Sequence, residues 1–210
     1  YPRNNEVDIK ILEDLDCDVL YLPEVIDLYN NNEKAKAFDF NGLDKFMEGS
    51  GRRGHFDGVA TIIEKLFRIV KPNIAFFGLK DLQQLQIIKH VTKQLYLPIE
   101  IIGVETKREE SGLAMSSRNS LLSEQEKGKS MLISETLNFI KDNSTILSID
   151  ELMKQSIKKF KNQNVLDLEY LEIVSLNTLQ PISKLGNKNT NAACIAASIS
   201  SVRLIDNIIF

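Results

Sequence analysis

The chain has 210 residues, 43% hydrophobic and 26% charged, the profile of a globular protein long enough to bury a sizeable core. Its 26 basic and 29 acidic residues leave a net charge of −3, which argues against a general nucleic-acid binder. No apolar run approaches the roughly 18 residues of a membrane span, the opening YPRNNEVD is not a signal peptide, and Cys17 and Cys194 stand far apart. Two isolated cysteines predict free thiols in a reducing compartment, with the cytoplasm as the default.

The first predicted element is a helix over residues 5–15, with Val7, Ile11, Leu12 and Leu15 on one face. A short strand over 19–22 follows and is cut off by Pro23. A helix feeding a strand is half of a βαβ unit, and the strand that should precede it is missing, so the chain is expected to be truncated at its N-terminus. Beyond a short helix at 25–29, the polar run at 30–34 predicts a surface loop, and 37–40 alternate as a short strand would.

The stretch GSGRRGHFDGV, 49–59, carries four glycines with Arg52, Arg53 and His55. It fits either a solvated basic turn or a close approach to phosphate, and spacing alone assigns those three side chains no role. A helix over 59–70 follows, with Ile62, Ile63, Leu66, Ile69 and Val70 apolar, and Lys71-Pro72 ends it.

The chain is organised around NIAFFGLKDLQQLQIIKHVTKQL, residues 73–95. Four apolar residues, 74–77, predict a central strand buried on both faces. Gly78 stops the run, and a helix bearing Leu82, Leu85, Ile88 and Leu95 follows the polar cluster Lys80, Asp81, Gln83 and Gln84. The carboxyl end of such a strand is where open α/β sheets bind ligands. Asp81 with Gln84 three residues later also fits an acidic capping box, which needs no ligand. A cap leaves Lys80 unexplained, because a cation at a helix N-terminus opposes the macrodipole unless an anion is bound.

Pro98 leads to another apolar run, 99–104, and two strands separated by one helix imply a right-handed parallel crossover. TKREESGLAMSSRNS, 106–120, then offers hydroxyl donors at Ser116 and Ser117, a permanent cation at Arg118 and a bend at Gly112. Lying one βαβ unit after Lys80, this loop is placed to reach the same rim of the sheet. From Leu121 the pattern changes: a Ser123–Glu126 capping box opens a helix to about 141, and a second helix covers 149–160. Strands are expected at 166–174, 194–199 and 202–210, with turns at Pro181 and 186–189. That order predicts a small α+β domain at 121–210 after an α/β domain at 1–120, the boundary falling near 119–123. His90, mid-helix, reads as a structural or surface histidine.

GSGRRGHFDGVATIIEKLFRIVKPNIAFFGLKDLQQL followed by ETKREESGLAMSSRNS resembles the pantothenate synthetase (pantoate–β-alanine ligase) family, and the similarity runs in register to the C-terminus. FFGLKDLQQ and GLAMSSRN are its most specific parts. The family is similar to other nucleotidyl-transferring α/β enzymes related to class I aminoacyl-tRNA synthetases. The resemblance implies a Rossmann-like N-terminal domain, a small C-terminal lid, a homodimer, and ATP, pantoate and β-alanine as substrates with Mg²⁺. It assigns ATP to Gly78, Leu79, Lys80 and Asp81, and pantoate to Gln84. The main chain near Lys107 would meet adenine, and Met115, Ser116, Ser117 and Arg118 would line the nucleotide and its phosphates. Lys80, Ser116, Ser117 and Arg118 would be the catalytic set. Leu79 stands where the family carries Glu or a similar polar residue. The family's His-x-Gly-His motif and a second pantoate-binding glutamine have no counterpart here, and would precede Tyr1.

The implied reaction joins pantoate to β-alanine through pantoyl adenylate, with AMP and pyrophosphate released. The loop over 109–117 is expected to be mobile without nucleotide and to close over bound triphosphate. A related nucleotidyltransferase with another acid or amine, or a non-catalytic ATP-binding or dimerising fragment, stays open from sequence.

Overall fold

The computed structural model describes residues 5–30, 33–163 and 165–210. The chain divides into two compact units, Tyr1–Ala35 and Lys36–Phe210. The first holds α1 (Asn5–Asp14) and α2 (Val25–Leu28). Glu6 and Asp8 in the first turn of α1 complement its macrodipole. Asp16 adopts φ 53° and Cys17 N–H donates to Leu12 O at 2.9 Å, which closes the helix. The strand expected at 19–22 is not formed: the segment joins no sheet among the described residues, and Val19 and Leu22 are 80% and 58% exposed. A strand exists only through its ladder, and an apolar run without a partner stays coil. Residues 1–4, ahead of the first helix, and Asn31 and Asn32 of the expected loop lie outside the described residues.

The second unit begins with a segment tied to a helix. The residues expected as a strand at 37–40 form no ladder, and two N–H groups of the segment, at Lys36 and Phe38, find side chains instead. Lys36 N–H donates to Thr61 Oγ1 at 2.9 Å and Phe38 N–H to Asp57 Oδ1 at 2.9 Å. Both acceptors lie on α4 (His55–Val70), which starts four residues before the helix expected from apolar spacing, straight after Gly54 at φ 74°. The short α3 (Met47–Gly51) precedes it.

Then come β1 (Ile74–Gly78), a 3₁₀ turn (Leu79–Asp81), α5 (Leu82–Gln94) and β2 (Glu100–Val104). β1 and β2 pair parallel, Ile74 opposite Glu100 and Gly78 opposite Val104, with α5 as the crossover. This is the expected parallel sheet flanked by helices, with one correction. β1 pairs only with β2 among the described residues, and Ile74 and Phe76 are 44% and 64% exposed. Ala75 and Phe77 are half-buried instead, Phe77 edge-on to Phe67 of α4. An all-apolar run cannot distinguish a strand buried on both faces from one buried on one. β2 lies so close to α5 that a Cβ at Gly103 would come within 2.9 Å of Leu85.

A second 3₁₀ turn (Ser117–Leu121) leads to α6 (Glu124–Asn143), opened by the expected Ser123–Glu126 capping box, and α7 (Ile149–Gln163). The chain ends in an antiparallel meander, β3 (Asp167–Ser175), β4 (Asn191–Ile199) and β5 (Val202–Ile209). β4 is buried almost throughout, and its alternation feeds two cores. Ala193, Ile195 and Ala197 join Leu132, Leu137, Ile140 and Leu152 of α6 and α7. Ala192 and Cys194 join Phe40, Phe56, Leu82, Ile87 and Val91. The three-stranded sheet is therefore sandwiched, with α6 and α7 on one face and the 40–95 region on the other. No helix among the described residues is long and apolar enough to cross a membrane.

Candidate functional site

The carboxyl end of β1 delivers the chain into the Leu79–Asp81 turn, where Lys80 sits half-buried. Its Nζ donates to Met115 O at 3.2 Å, across to the loop that follows β2. That loop is a small hairpin. Arg108 and Ala114 form an antiparallel bridge, Met115 N–H donates to Lys107 O and Glu109 N–H to Leu113 O, both at 2.9 Å, and Gly112 turns at φ 87°. Asn119 Nδ2 braces it by donating to Glu109 Oε1 at 2.6 Å and Ala114 O at 3.1 Å. The turn after β1 and the hairpin after β2 thus face one another at the same end of the parallel sheet.

Ser116 caps the Ser117–Leu121 turn by accepting from Arg118 N–H at 3.2 Å. Arg118 is exposed and donates from Nη1 to Arg203 O at 3.1 Å, so its guanidinium is held on the rim. Ser117 and Met115 are exposed beside it. Loss of hydration pushes the Lys80 ammonium below its ordinary value, and the neighbouring Arg118 and Arg108 push it further, against the opposing pull of Asp81 and Asp206. Asp81 is shifted upward, first by partial desolvation and then by Glu48, despite Lys80, Arg118 and His55. The Lys80 ammonium is therefore incompletely solvated at a rim that also carries Arg118, a setting in which a bound polyanion would stabilise its charge.

The structure removes one reading of Asp81: as N-cap of α5 it makes no side-chain cap hydrogen bond. It also separates the two glutamines. Gln83 is buried, donating from Nε2 to Leu43 O at 2.8 Å and Phe46 O at 2.9 Å, whereas Gln84 is half-buried in the first turn. Lys107 is exposed, and its carbonyl takes the Met115 N–H. A Cβ at Gly78 would meet nothing within 4 Å, so the space over the end of β1 is open. His90 Nε2 donates to Asp39 O at 3.0 Å, a structural contact.

Residues that sequence spacing did not single out complete the site. Glu48, on α3 just before the glycine-rich stretch, receives Arg203 Nη2 at 2.7 Å and Tyr170 Oη at 2.9 Å, with Arg52 at 3.6 Å. Burial would raise the Glu48 carboxyl, but the Arg203 and Tyr170 hydrogen bonds and the Arg203 and Arg52 charges hold it below the usual range. His55 is lowered by desolvation and then by Arg52. Asn207 Nδ2 donates to both Leu79 O and Lys80 O at 2.8 Å, and Asp206 takes the Arg108 guanidinium. A polar Asp-Asn pair inside the apolar VRLIDNIIF run was the one sequence signal for them.

The sequence profile described as Pantoate-beta-alanine ligase matches residues 1–209. The chain belongs to the pantoate–β-alanine ligase family. It is 41% identical to the pantothenate synthetase of Cytophaga hutchinsonii over 214 aligned residues, covering 100% of this chain and 74% of that protein. It is 40% identical to that of Flavobacterium psychrophilum, covering 99% and 74%. The fold superposes on the crystal structure of pantothenate synthetase from Thermus thermophilus with a TM-score of 0.93 at 33% identity, covering 100% of this chain and 75% of that one. The Francisella tularensis pantoate-beta-alanine ligase, complexed with beta-gamma ATP and beta-alanine, gives a TM-score of 0.77 at 32% identity over 100% of this chain and 71% of that one.

Proposed function

We propose that this chain binds ATP across the rim between the Leu79–Asp81 turn and the 107–118 hairpin, and uses it to join pantoate to β-alanine. The observation that carries the reading is geometric: the half-buried Lys80 at the carboxyl end of β1 donates from Nζ to Met115 O at 3.2 Å, which brings it to the hairpin that leads to the exposed Arg118. Family membership and the ATP and β-alanine complex of the Francisella relative support the same substrates.

A carboxylate is a poor acyl donor. In the proposed sequence a pantoate oxygen attacks the α-phosphorus of ATP, the bond from that phosphorus to the bridging oxygen breaks, and pyrophosphate leaves. The amine of β-alanine then attacks the acyl carbon, AMP departs, and the amine proton passes to solvent. Lys80 and Arg118 stabilise the charge on the phosphates, where donors in a partly desolvated site act most strongly. Ser116 and Ser117 donate from their hydroxyls. Gly78, Leu79 and Asp81 shape the nucleotide's bed, Lys107 and Met115 flank it, and Gln84, beside the turn, orients pantoate. Among the described residues no group of three or more His, Cys, Asp or Glu side chains could hold a metal ion, so Mg²⁺ belongs to this reading as part of the MgATP substrate.

We place the division of labour at 1–120 for nucleotide binding and 121–210 as the lid, working as a homodimer in the cytoplasm. The sheet of the second part shares a core with the first, so closure in this reading is a shear within one packed unit.

Lys80→Ala tests the assignment. The variant is expected to slow adenylate formation by roughly 100-fold or more, the scale of one well-placed transition-state donor, with thermal unfolding nearly unchanged. Lys80→Arg keeps the charge but not the compact reach, and is expected to lie between. Wild-type single-turnover rates in Lys80→Ala would remove the lysine from the mechanism.

A further inference from the structure

β5 carries two buried polar residues that its sheet does not need. Asp206 is 3% exposed and Asn207 7% exposed, between Ile205 and Ile208. Burying a carboxylate and an amide is costly unless every lone pair and proton is matched. We propose that Asp206 and Asn207 are positioning residues that lock the two nucleotide-binding loops into register with each other.

Strand alternation sends the two side chains to opposite faces. Asn207 lies opposite Cys194, which belongs to the core shared with α5, and Asp206 opposite Ile195, which belongs to the core under α6 and α7. Each therefore reaches a different loop. Asn207 Nδ2 donates to the successive carbonyls Leu79 O and Lys80 O, both at 2.8 Å, and so pins the turn that carries Lys80. Asp206 takes Arg108 bidentately, Nη1 to Oδ2 at 2.6 Å and Nη2 to Oδ1 at 3.0 Å. Arg108 also donates from Nη1 to Gly112 O at 3.0 Å, closing the hairpin, and from Nη2 to Asn207 O at 3.4 Å. Asp206 Oδ1 accepts the Asn207 N–H at 2.8 Å, which joins the two arms at their root. One dipeptide thus fixes the spacing between Lys80 on one loop and Met115, Ser116 and Arg118 on the other. The Lys80–Met115 contact depends on that spacing.

The inference rests on ATP binding at this rim, and the experiment separates the two. ATP is titrated into the whole chain by calorimetry for the wild type, Asn207→Ala, Asp206→Asn, Lys80→Ala, Arg118→Ala, the double Asn207→Ala with Lys80→Ala and the double Asp206→Asn with Arg118→Ala, with denaturant unfolding run in parallel. Each β5 variant should weaken ATP binding about tenfold, the scale of one or two hydrogen bonds. Because Asn207 acts through the turn that carries Lys80 and Asp206 through the hairpin that leads to Arg118, each double variant should bind about as Lys80→Ala or Arg118→Ala alone does, where independent sites would multiply. Amide exchange should rise at 79–82 in Asn207→Ala and at 108–114 in Asp206→Asn, a split that general loosening of the sheet would not produce. Should Asp206→Asn fail to fold, Arg108→Lys carries the same comparison: its fork is lost from the half-exposed end, and binding should again weaken without multiplying with Arg118→Ala. Wild-type ATP affinity in the single variants, or multiplicative losses in the doubles, would overturn the inference and leave the ATP reading standing. Absence of ATP binding by the wild type would overturn both.

Discussion

At the residue scale, Gly78 is the position where fold and function make opposite demands. Its φ of −67° and ψ of 132° suit any residue, and a Cβ there would meet open space, so nothing within the protein requires glycine. Gly49 is the contrast: a Cβ would fall 2.0 Å from Asp44 O, so the fold itself excludes one. Gly78→Ala is therefore expected to leave thermal unfolding unchanged or slightly raised, since alanine restricts the unfolded chain more than glycine does. Affinity for ATP should fall, because the methyl group projects into the space assigned to the nucleotide. A variant that binds ATP as the wild type does would move the nucleotide away from the end of β1. Lys80 was singled out in the sequence because a cation at a helix start opposes the macrodipole unless an anion is bound, and Arg118 because its loop lies one βαβ unit later and can reach the same rim. Asp206, Asn207, Glu48 and Arg203 were not, because their roles come from pairings across more than 90 residues, such as Arg108 with Asp206.

At the element scale, periodicity found the longer helices and the meander but not α3, and it failed where a segment's partner decided its state. Residues 37–40 alternate as a strand does, yet Thr61 and Asp57 take the N–H groups of Lys36 and Phe38. The unbroken apolar run of β4 hides two faces, which only the second core reveals. The hairpin of residues 107–115 is the element with most to gain from a ligand: it is braced from one side by Asn119 and Arg108, while Met115 and Arg118 stay exposed. Hydrogen exchange at 109–117 is expected to slow when ATP saturates the site, through charge-assisted contacts to the phosphates. Equal protection with and without ATP would show that the hairpin does not respond to nucleotide.

At the scale of the whole molecule, the glycine-rich segment is fastened to the meander by one charged cluster. Arg203 of β5 bonds Glu48 from both terminal nitrogens, at 3.0 and 2.7 Å, and Glu169 of β3 through Nε at 2.6 Å. Tyr170 completes it, its hydroxyl pushed far above its ordinary value by burial and by the Glu48 charge, so it remains a donor throughout the working range. A carboxyl whose folded pKa is depressed binds its proton more readily in the unfolded chain. Glu48 therefore contributes stability that is full above the ordinary carboxylate range and is lost as pH falls through its folded value. Glu48→Gln should cost about 1–3 kcal/mol near neutrality, and the gap between variant and wild type should narrow as the medium is acidified. Thermal unfolding of both proteins across the acid range reads this directly; a gap that stays constant or widens would contradict it.

The central claim is that the carboxylate of pantoate attacks the α-phosphorus of ATP at the Lys80–Arg118 rim, and isotope transfer tests it most directly. Pantoate labelled with ¹⁸O in its carboxylate is incubated with the protein, MgATP and β-alanine, and the products are read by mass spectrometry. Attack by a carboxylate oxygen followed by amide formation predicts one labelled oxygen in AMP, none in pyrophosphate, and the remaining label in the new amide. Label appearing in inorganic phosphate alongside ADP, or AMP formed without label, would contradict the account.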